Sequence, residues 1–240
     1  EEVVALLGRT PARQRRQAAA AAGAGAADPE VRIRAGRAVL AGRLTVPAAA
    51  PGVVVFVHGS GSSRQSPRNR HVARVLQDAG LATLLFDLLT PEEELDRANV
   101  FDVPLLAGRL DSVTAWLRRQ PTTAHLPPCY FGASTGAAAA LWAAAGPGAA
   151  VAAVVTRGGR PDLAGPRLAA VRAPTLLVVG GWDDAVLELN RRALANLRCQ
   201  ARLSVVPGAT HLFEEPGTLD VAAGLARNWF LGHLGTAPAS

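Results

Sequence analysis

Short apolar runs rich in valine and leucine alternate along this chain with longer stretches whose apolar positions return every three or four residues. The first pattern predicts strands buried on both faces, the second amphipathic helices. Strands are expected at residues 52–57 (GVVVFV), 81–88 (LATLLFDL), 129–133, 151–156 (VAAVVT), 174–181 (PTLLVVGG) and 203–206. Helices are expected at 70–79, 105–119, 135–144, 185–197 and 219–234; in the second, Leu106, Leu110, Val113 and Leu117 share one face. Residues 31–46 alternate instead, with glycine at Gly36 and Gly42, and predict an antiparallel pair at the sheet edge. Residues 90–104 (TPEEELDRANVFDVP) are acidic and without clear period, and are expected to cross the top of the sheet. The fold class is therefore α/β, with a mostly parallel central sheet flanked by helices on both faces and N-terminal antiparallel edge strands.

Composition narrows the class. A chain of 240 residues, 49% hydrophobic, can bury one full core. Residues 1–30 lack core periodicity beyond EEVVALLG and are read as a tail or linker, leaving 31–240 as the folded domain. The sequence contains no lysine, so its net charge of +6 is carried by arginine. These arginines, Arg13, Arg15 and Arg16 among them, form no basic stripe interleaved with aromatics, so no nucleic-acid partner is expected. The two cysteines, Cys129 and Cys199, stand apart and away from histidine at metal spacing, and no metal, disulfide or organic cofactor is expected. No run reaches the ~18 apolar residues of a membrane span, and the opening Glu1-Glu2 is no leader, so the reading is cytoplasmic. Methionine is absent even at position 1, which suggests a chain cut from a longer protein.

The chemistry centres on Gly132-Ala133-Ser134-Thr135-Gly136, a G-x-S-x-G sequence with a strand before it and a helix after it. In that setting the serine sits on a sharp turn, its hydroxyl lifted above the carboxyl edge of the sheet. A serine hydroxyl needs a base to act as a nucleophile at neutral pH. His211, in the Gly-Ala-Thr-His turn after the last strand, is the best placed; His58 ends its strand at the same edge and is read as a loop brace. The base in turn needs a carboxylate to hold its tautomer. Asp183, in the spacing Gly180-x-x-Asp183, is the candidate, with Asp184 as helix cap and Asp162 as the alternative acid. Backbone N–H groups of Thr135 and Ser60 are expected to form the oxyanion hole. Arg64, Arg70, Arg157 and Arg160 follow strands whose loops open beside Ser134, so some could hold an anionic substrate group; the competing expectation pairs them with Glu92, Glu93, Glu94, Asp96 and Asp102.

HGSGSS after a strand, GASTG at the turn, GGWDD after a late strand and GATH near the end together resemble the α/β-hydrolase superfamily, and most of all its dienelactone hydrolase-like branch, over residues 31–234. The resemblance implies the α/β-hydrolase fold and ester or lactone cleavage without a cofactor. Dienelactone hydrolases proper carry a cysteine nucleophile where this chain has Ser134, which makes serine esterase the better reading. Longer stretches, SPRNRHVARVL, LLFDLLTPEEELDRANVFD and GATHLFEEPGTL, resemble hydrolase domains fused behind a phosphoribosyltransferase domain, and EEVVALL is similar to the tail of such a transferase.

The expected activity is thus cleavage of a small carboxylic ester or lactone, which could carry an anionic group, through an acyl-enzyme on Ser134 with Asp183 and His211. Two rivals stay open. The same triad could pass the acyl group to an alcohol or amine, or the domain could be a non-catalytic ligand-binding or regulatory module of a fused or lost phosphoribosyltransferase.

Overall fold

A computed structural model of the chain describes residues 30–235, so the expected linker at 1–30 lies, but for Glu30, outside the described residues. Strands β1 (Glu30–Ala35) and β2 (Ala38–Thr45) form the antiparallel pair. There follow β3 (Val53–Val57), α1 (Pro67–Asp78), β4 (Ala82–Phe86), α2 (Pro91–Glu94), α3 (Arg97–Phe101), α4 (Val103–Leu117), β5 (Pro128–Ala133), α5 (Gly136–Ala144) and β6 (Ala153–Arg157). A kinked 3₁₀ segment (Pro161–Ala170), β7 (Thr175–Gly180), α6 (Asp184–Asn196), β8 (Ala201–Val206) and α7 (Thr218–Leu234) complete the described chain. The eight strands lie in the order β1-β2-β4-β3-β5-β6-β7-β8, parallel from β4 to β8, with β2 antiparallel to β4.

The sheet buries both faces because its strands are apolar at every position. In β3, Val53, Val55 and Val57 join Leu84, Phe86, Tyr130 and Val154 under α4 and α5. The alternate residues, Val54 and Phe56, join Leu85, Phe131 and Val155 under α1 and α7, where Val72, Leu76 and Phe230 close the layer. Neither half could hide its sheet face without its helices, which is why the chain folds as three layers. Tyr130, in the centre of β5, keeps its hydroxyl satisfied by Thr114 Oγ1 of α4 at 2.8 Å.

Two expectations about regular structure need correction. Residues 90–104 carry helical turns, because each turn has its own cap. Thr90 and Glu93 form a reciprocal capping box for α2, and the Asp96 and Asp102 side chains cap α3 and α4. Helix α1 begins three residues earlier than the periodicity indicates, since Ser66 accepts from Asn69 N–H and Pro67 suits the first helical position. The 3₁₀ segment lacks a helical apolar period and was not anticipated; it turns at Gly165, φ 55°.

Candidate active site

Strand β5 ends and α5 begins with a single residue forced into the left-handed region: Ser134, φ 50°. A non-glycine residue there carries strain of about 1–3 kcal/mol and persists only when its surroundings hold it. Here they do. Ser134 N–H donates to Arg157 C=O at 3.2 Å, and its own C=O accepts from Arg160 N–H at 3.0 Å and Ala137 N–H at 3.1 Å. The flanking glycines answer a steric need: a Cβ at Gly136 would stand 2.2 Å from Val57 O, and one at Gly132 would stand 2.6 Å from Ala137 Cα.

Asp183 and His211 meet across the ends of β7 and β8, with Asp183 Oδ2 2.6 Å from His211 Nδ1. Asp183 occupies the cap position of α6 but makes no side-chain cap bond, while Asp184 is the first helical residue; the expected division, with Asp184 as cap, is corrected. The two loops are joined because Gly180 lacks a Cβ, which would lie 2.4 Å from Ala209 O, and because Trp182 N–H donates to that carbonyl at 2.9 Å. Asp162 is turned away in a two-bond pair with Arg160 at 2.8 and 2.7 Å, so it is not the acid facing His211. Among the described residues no hydrogen bond joins Ser134 Oγ to His211.

Two supports of His211 escaped the sequence reading. Gly158, φ 52°, lies directly against the ring, close enough that a Cβ would be 3.5 Å from Nδ1 and Cε1. Glu215 accepts from Thr210 N–H at 3.0 Å and Thr210 Oγ–H at 2.6 Å, which pulls the loop bearing His211 into a tight turn and holds the Glu215 carboxyl below its ordinary range. The Gly158-Gly159 pair after a strand was the available signal for the first; for Glu215 there was none, because its partner is defined only by the turn.

On the other side of Ser134 lies the loop after β3. His58 is buried and neutral in character, with Nδ1–H donating to Gly59 C=O at 3.0 Å and Nε2 accepting from Leu88 N–H at 3.1 Å; burial holds its pKa below the ordinary value. It braces the loop, as expected. Gly59 then passes so close to Ser134 that a Cβ would meet that of the serine at 2.8 Å. Ser60 N–H points to Thr135 Oγ1 at 2.9 Å, so the expected free donor is engaged by a side chain. A cavity of about 440 Å³ opens beside this pair, lined by the 58–63 loop, Leu88, Leu89, Glu94, Val100, Leu106 and Thr135. The 90–104 segment therefore does contribute to a pocket wall.

The four candidate arginines separate. Arg64 is paired with Asp87 and Glu30, Arg160 with Asp162, and Arg70 is exposed in a shallow depression with Arg43 and Arg74 beside α1. The acidic partners proposed for them do not take part; Glu93 pairs with Arg109 instead. Arg157 alone is buried, its guanidinium near the Phe131 and Phe213 rings at 5.9 and 6.0 Å. Its Nη1 has no hydrogen-bond partner among the described residues. Burial and the nearby positive charge of Arg68 draw its pKa down to about 10. Cys129 is buried with its thiol pushed up to about 12, a packing residue. Among the described residues no cluster of side chains is suited to a metal ion, and no helix is long and apolar enough to cross a membrane.

No protein-family model matches the chain. Two Mycobacterium tuberculosis proteins, from strains CDC 1551 / Oshkosh and H37Rv, carry a provisional phosphoribosyl transferase name and are 62% identical over 239 residues, 98% of this chain. The chain spans about half the length of these curated relatives, 53%. The crystal structure of a dienelactone hydrolase from Anabaena variabilis is 55% identical, with a TM-score of 0.83, over 85% of this chain and 97% of that one. An α/β serine hydrolase without lid from Xanthomonas campestris shares the fold at a TM-score of 0.71 and 20% identity, over 88% of this chain and 96% of that one.

Proposed function

The chain belongs to the α/β-hydrolase superfamily, in its dienelactone hydrolase-like branch, and from that premise we propose that it is a serine hydrolase cleaving a carboxylic ester or lactone through an acyl-enzyme on Ser134. The observation that carries this reading is the 2.6 Å contact of Asp183 with His211 Nδ1, which leaves Nε2 to serve as the base for Ser134, itself held in a left-handed turn. Ser134 Oγ attacks the carbonyl while His211 Nε2 takes its proton. Asp183 stabilises the imidazolium, and the oxyanion collects on the side of Thr135 and Ser60. His211 returns the proton to the leaving alcohol, and a water activated by the same base releases the acid. On this reading the Ser134–His211 hydrogen bond forms around bound substrate.

Arg157 supports an anionic substrate. A buried guanidinium without a counter-ion is costly, and a carboxylate or phosphate would neutralise it. The cavity on the Ser60 side is lined by leucines, hydroxyls and Glu94, so an apolar or neutral portion belongs there. Arg64, Arg70 and Arg160 drop out of this role. Comparing anionic with neutral esters on Arg157→Gln tests it, and equal losses on both would remove the idea.

The relatives' length and name favour a two-domain protein in which residues 1–30 connect to a phosphoribosyltransferase domain and 31–240 form the hydrolase. Both cysteines are unpaired, in keeping with a cytoplasmic site of action. Labelling with a fluorophosphonate, with peptide mapping on the chain and on Ser134→Ala, tests the central reading. Modification of Ser134, and ester turnover down by ~10⁴ or more in the variant, is expected. A folded protein without labelling would return the ligand-binding module to first place, and product analysis with a competing alcohol would separate hydrolase from acyltransferase.

A further inference from the structure

The loop after β3 should present Ser60 N–H to the oxyanion, yet that hydrogen is directed 2.9 Å to Thr135 Oγ1. Thr135 has few ways to place its side chain. It stands at the start of α5 in the right-handed region, φ −62°, and its hydroxyl does not cap the helix. The residue is buried, and it lines the cavity beside the 58–63 loop. Because Oγ1 accepts from Ser60, its own hydrogen is left to donate elsewhere, and among the described residues no acceptor is bonded to it.

We propose that the Thr135 hydroxyl is a catalytic residue, donating directly to the oxyanion beside Thr135 N–H, with Ser60 N–H acting behind it as a positioning donor. This rests on the acyl-enzyme reading and deepens it. When Ser134 Oγ bonds to the carbonyl carbon, the carbonyl π pair moves onto oxygen, and Thr135 Oγ–H shares its hydrogen with that oxygen without transferring it. The Ser60 dipole polarises Thr135 Oγ in the direction that strengthens the donated bond. Both Thr135 donors then belong to the residue after the nucleophile, so they move as one with the elbow. The cavity-side position also makes the donor sensitive to what fills the pocket.

The test is steady-state kinetics on an aryl ester, with Thr135→Val and Thr135→Ser beside the parent protein, and inhibition by a trifluoromethyl ketone, which forms an oxyanion on the nucleophile. Thr135→Val should lower kcat by about 100-fold with KM little changed, the lower end of what a lost oxyanion donor costs. Its affinity for the ketone should fall by the same factor, while a non-reacting alcohol analogue of that ketone binds unchanged; a merely structural role would not separate the two. Thr135→Ser, which keeps the hydroxyl, should stay within about threefold of the parent in kcat. Unchanged or faster turnover in Thr135→Val would overturn the proposal, the faster case meaning that Thr135 plugs the hole and Ser60 N–H is the donor. If the parent protein itself takes no fluorophosphonate on Ser134, the acyl-enzyme reading fails first; if the parent and Thr135→Val are labelled at equal rates, only the role of Thr135 fails.

Discussion

Gly158 lies against His211 with a left-handed backbone that favours glycine. At φ 52° a Cβ on Gly158 would stand 3.1 Å from His211 O and 3.5 Å from two ring atoms. Replacing Gly158 with alanine should therefore strain the backbone and press on the His211 carbonyl, displacing the loop that carries the imidazole. We expect a loss of about 1–3 kcal/mol in unfolding free energy, measured by urea denaturation, and a larger fractional loss in kcat than in folded protein. Retention of full turnover would show that the ring can shift without leaving its working position.

Asp183 is expected to act through the tautomer of His211. Asp183→Asn keeps the shape but presents an amide to Nδ1, which favours the wrong ring nitrogen for the base. Turnover should fall by about 10³- to 10⁴-fold while fluorophosphonate labelling of Ser134 slows in parallel. A decline under tenfold would show that Asp183 does not orient the base.

Glu215 should matter for rate although it touches no substrate. Glu215→Ala releases Thr210 N–H and Oγ–H and loosens the turn that carries His211. A decrease of about tenfold in kcat with KM nearly unchanged is expected, and Glu215→Gln, which keeps an acceptor, should recover most of it. The depressed Glu215 pKa adds a sign: its stabilising contribution is present above the ordinary carboxylate range, and is lost as pH falls through the folded value.

His58 predicts a pH dependence of the opposite origin. Its folded pKa lies below the ordinary 6.5, so above that pH the folded and unfolded forms are both neutral there and nothing changes. Below it, the unfolded chain takes up a proton that the buried ring refuses, and stability falls as pH drops towards the folded pKa. The slope from this group is at most about 1.4 kcal/mol per pH unit. Urea midpoints between pH 8 and 5 should show the decline, and His58→Gln, with an acceptor for Leu88 N–H but no proton to gain, should flatten it. An equal slope in the variant would place the proton uptake elsewhere.

The layered α/β fold, the elbow and the Asp183–His211 pairing were legible because each depends on order along the chain. GVVVFV or PTLLVVGG can only be buried on both faces, and the loops between such strands and the helices that follow must fall at the carboxyl edge. Caps such as Thr90 with Glu93 are equally local, but at residues 90–104 they act without an apolar period to mark the helical turns they start. The fates of the arginines were not legible. Arg64, Arg157 and Arg160 all follow strands into the same edge, yet they end paired with Asp87, near two phenylalanine rings, and against Asp162.

That difference has a physical root. Hydrophobic periodicity and turn chemistry act over a few residues, so the sequence by itself determined the strand order of events, the strained serine and the families of residues brought to one edge. The Arg64–Asp87 pair, the seat of Gly158 under His211 and the engagement of Ser60 N–H by Thr135 join positions 23 to 75 residues apart, and depend on a side chain's direction to within a fraction of an ångström. Only the packed sheet, with both faces closed by helices, decides which of several equivalent partners is near enough to bond.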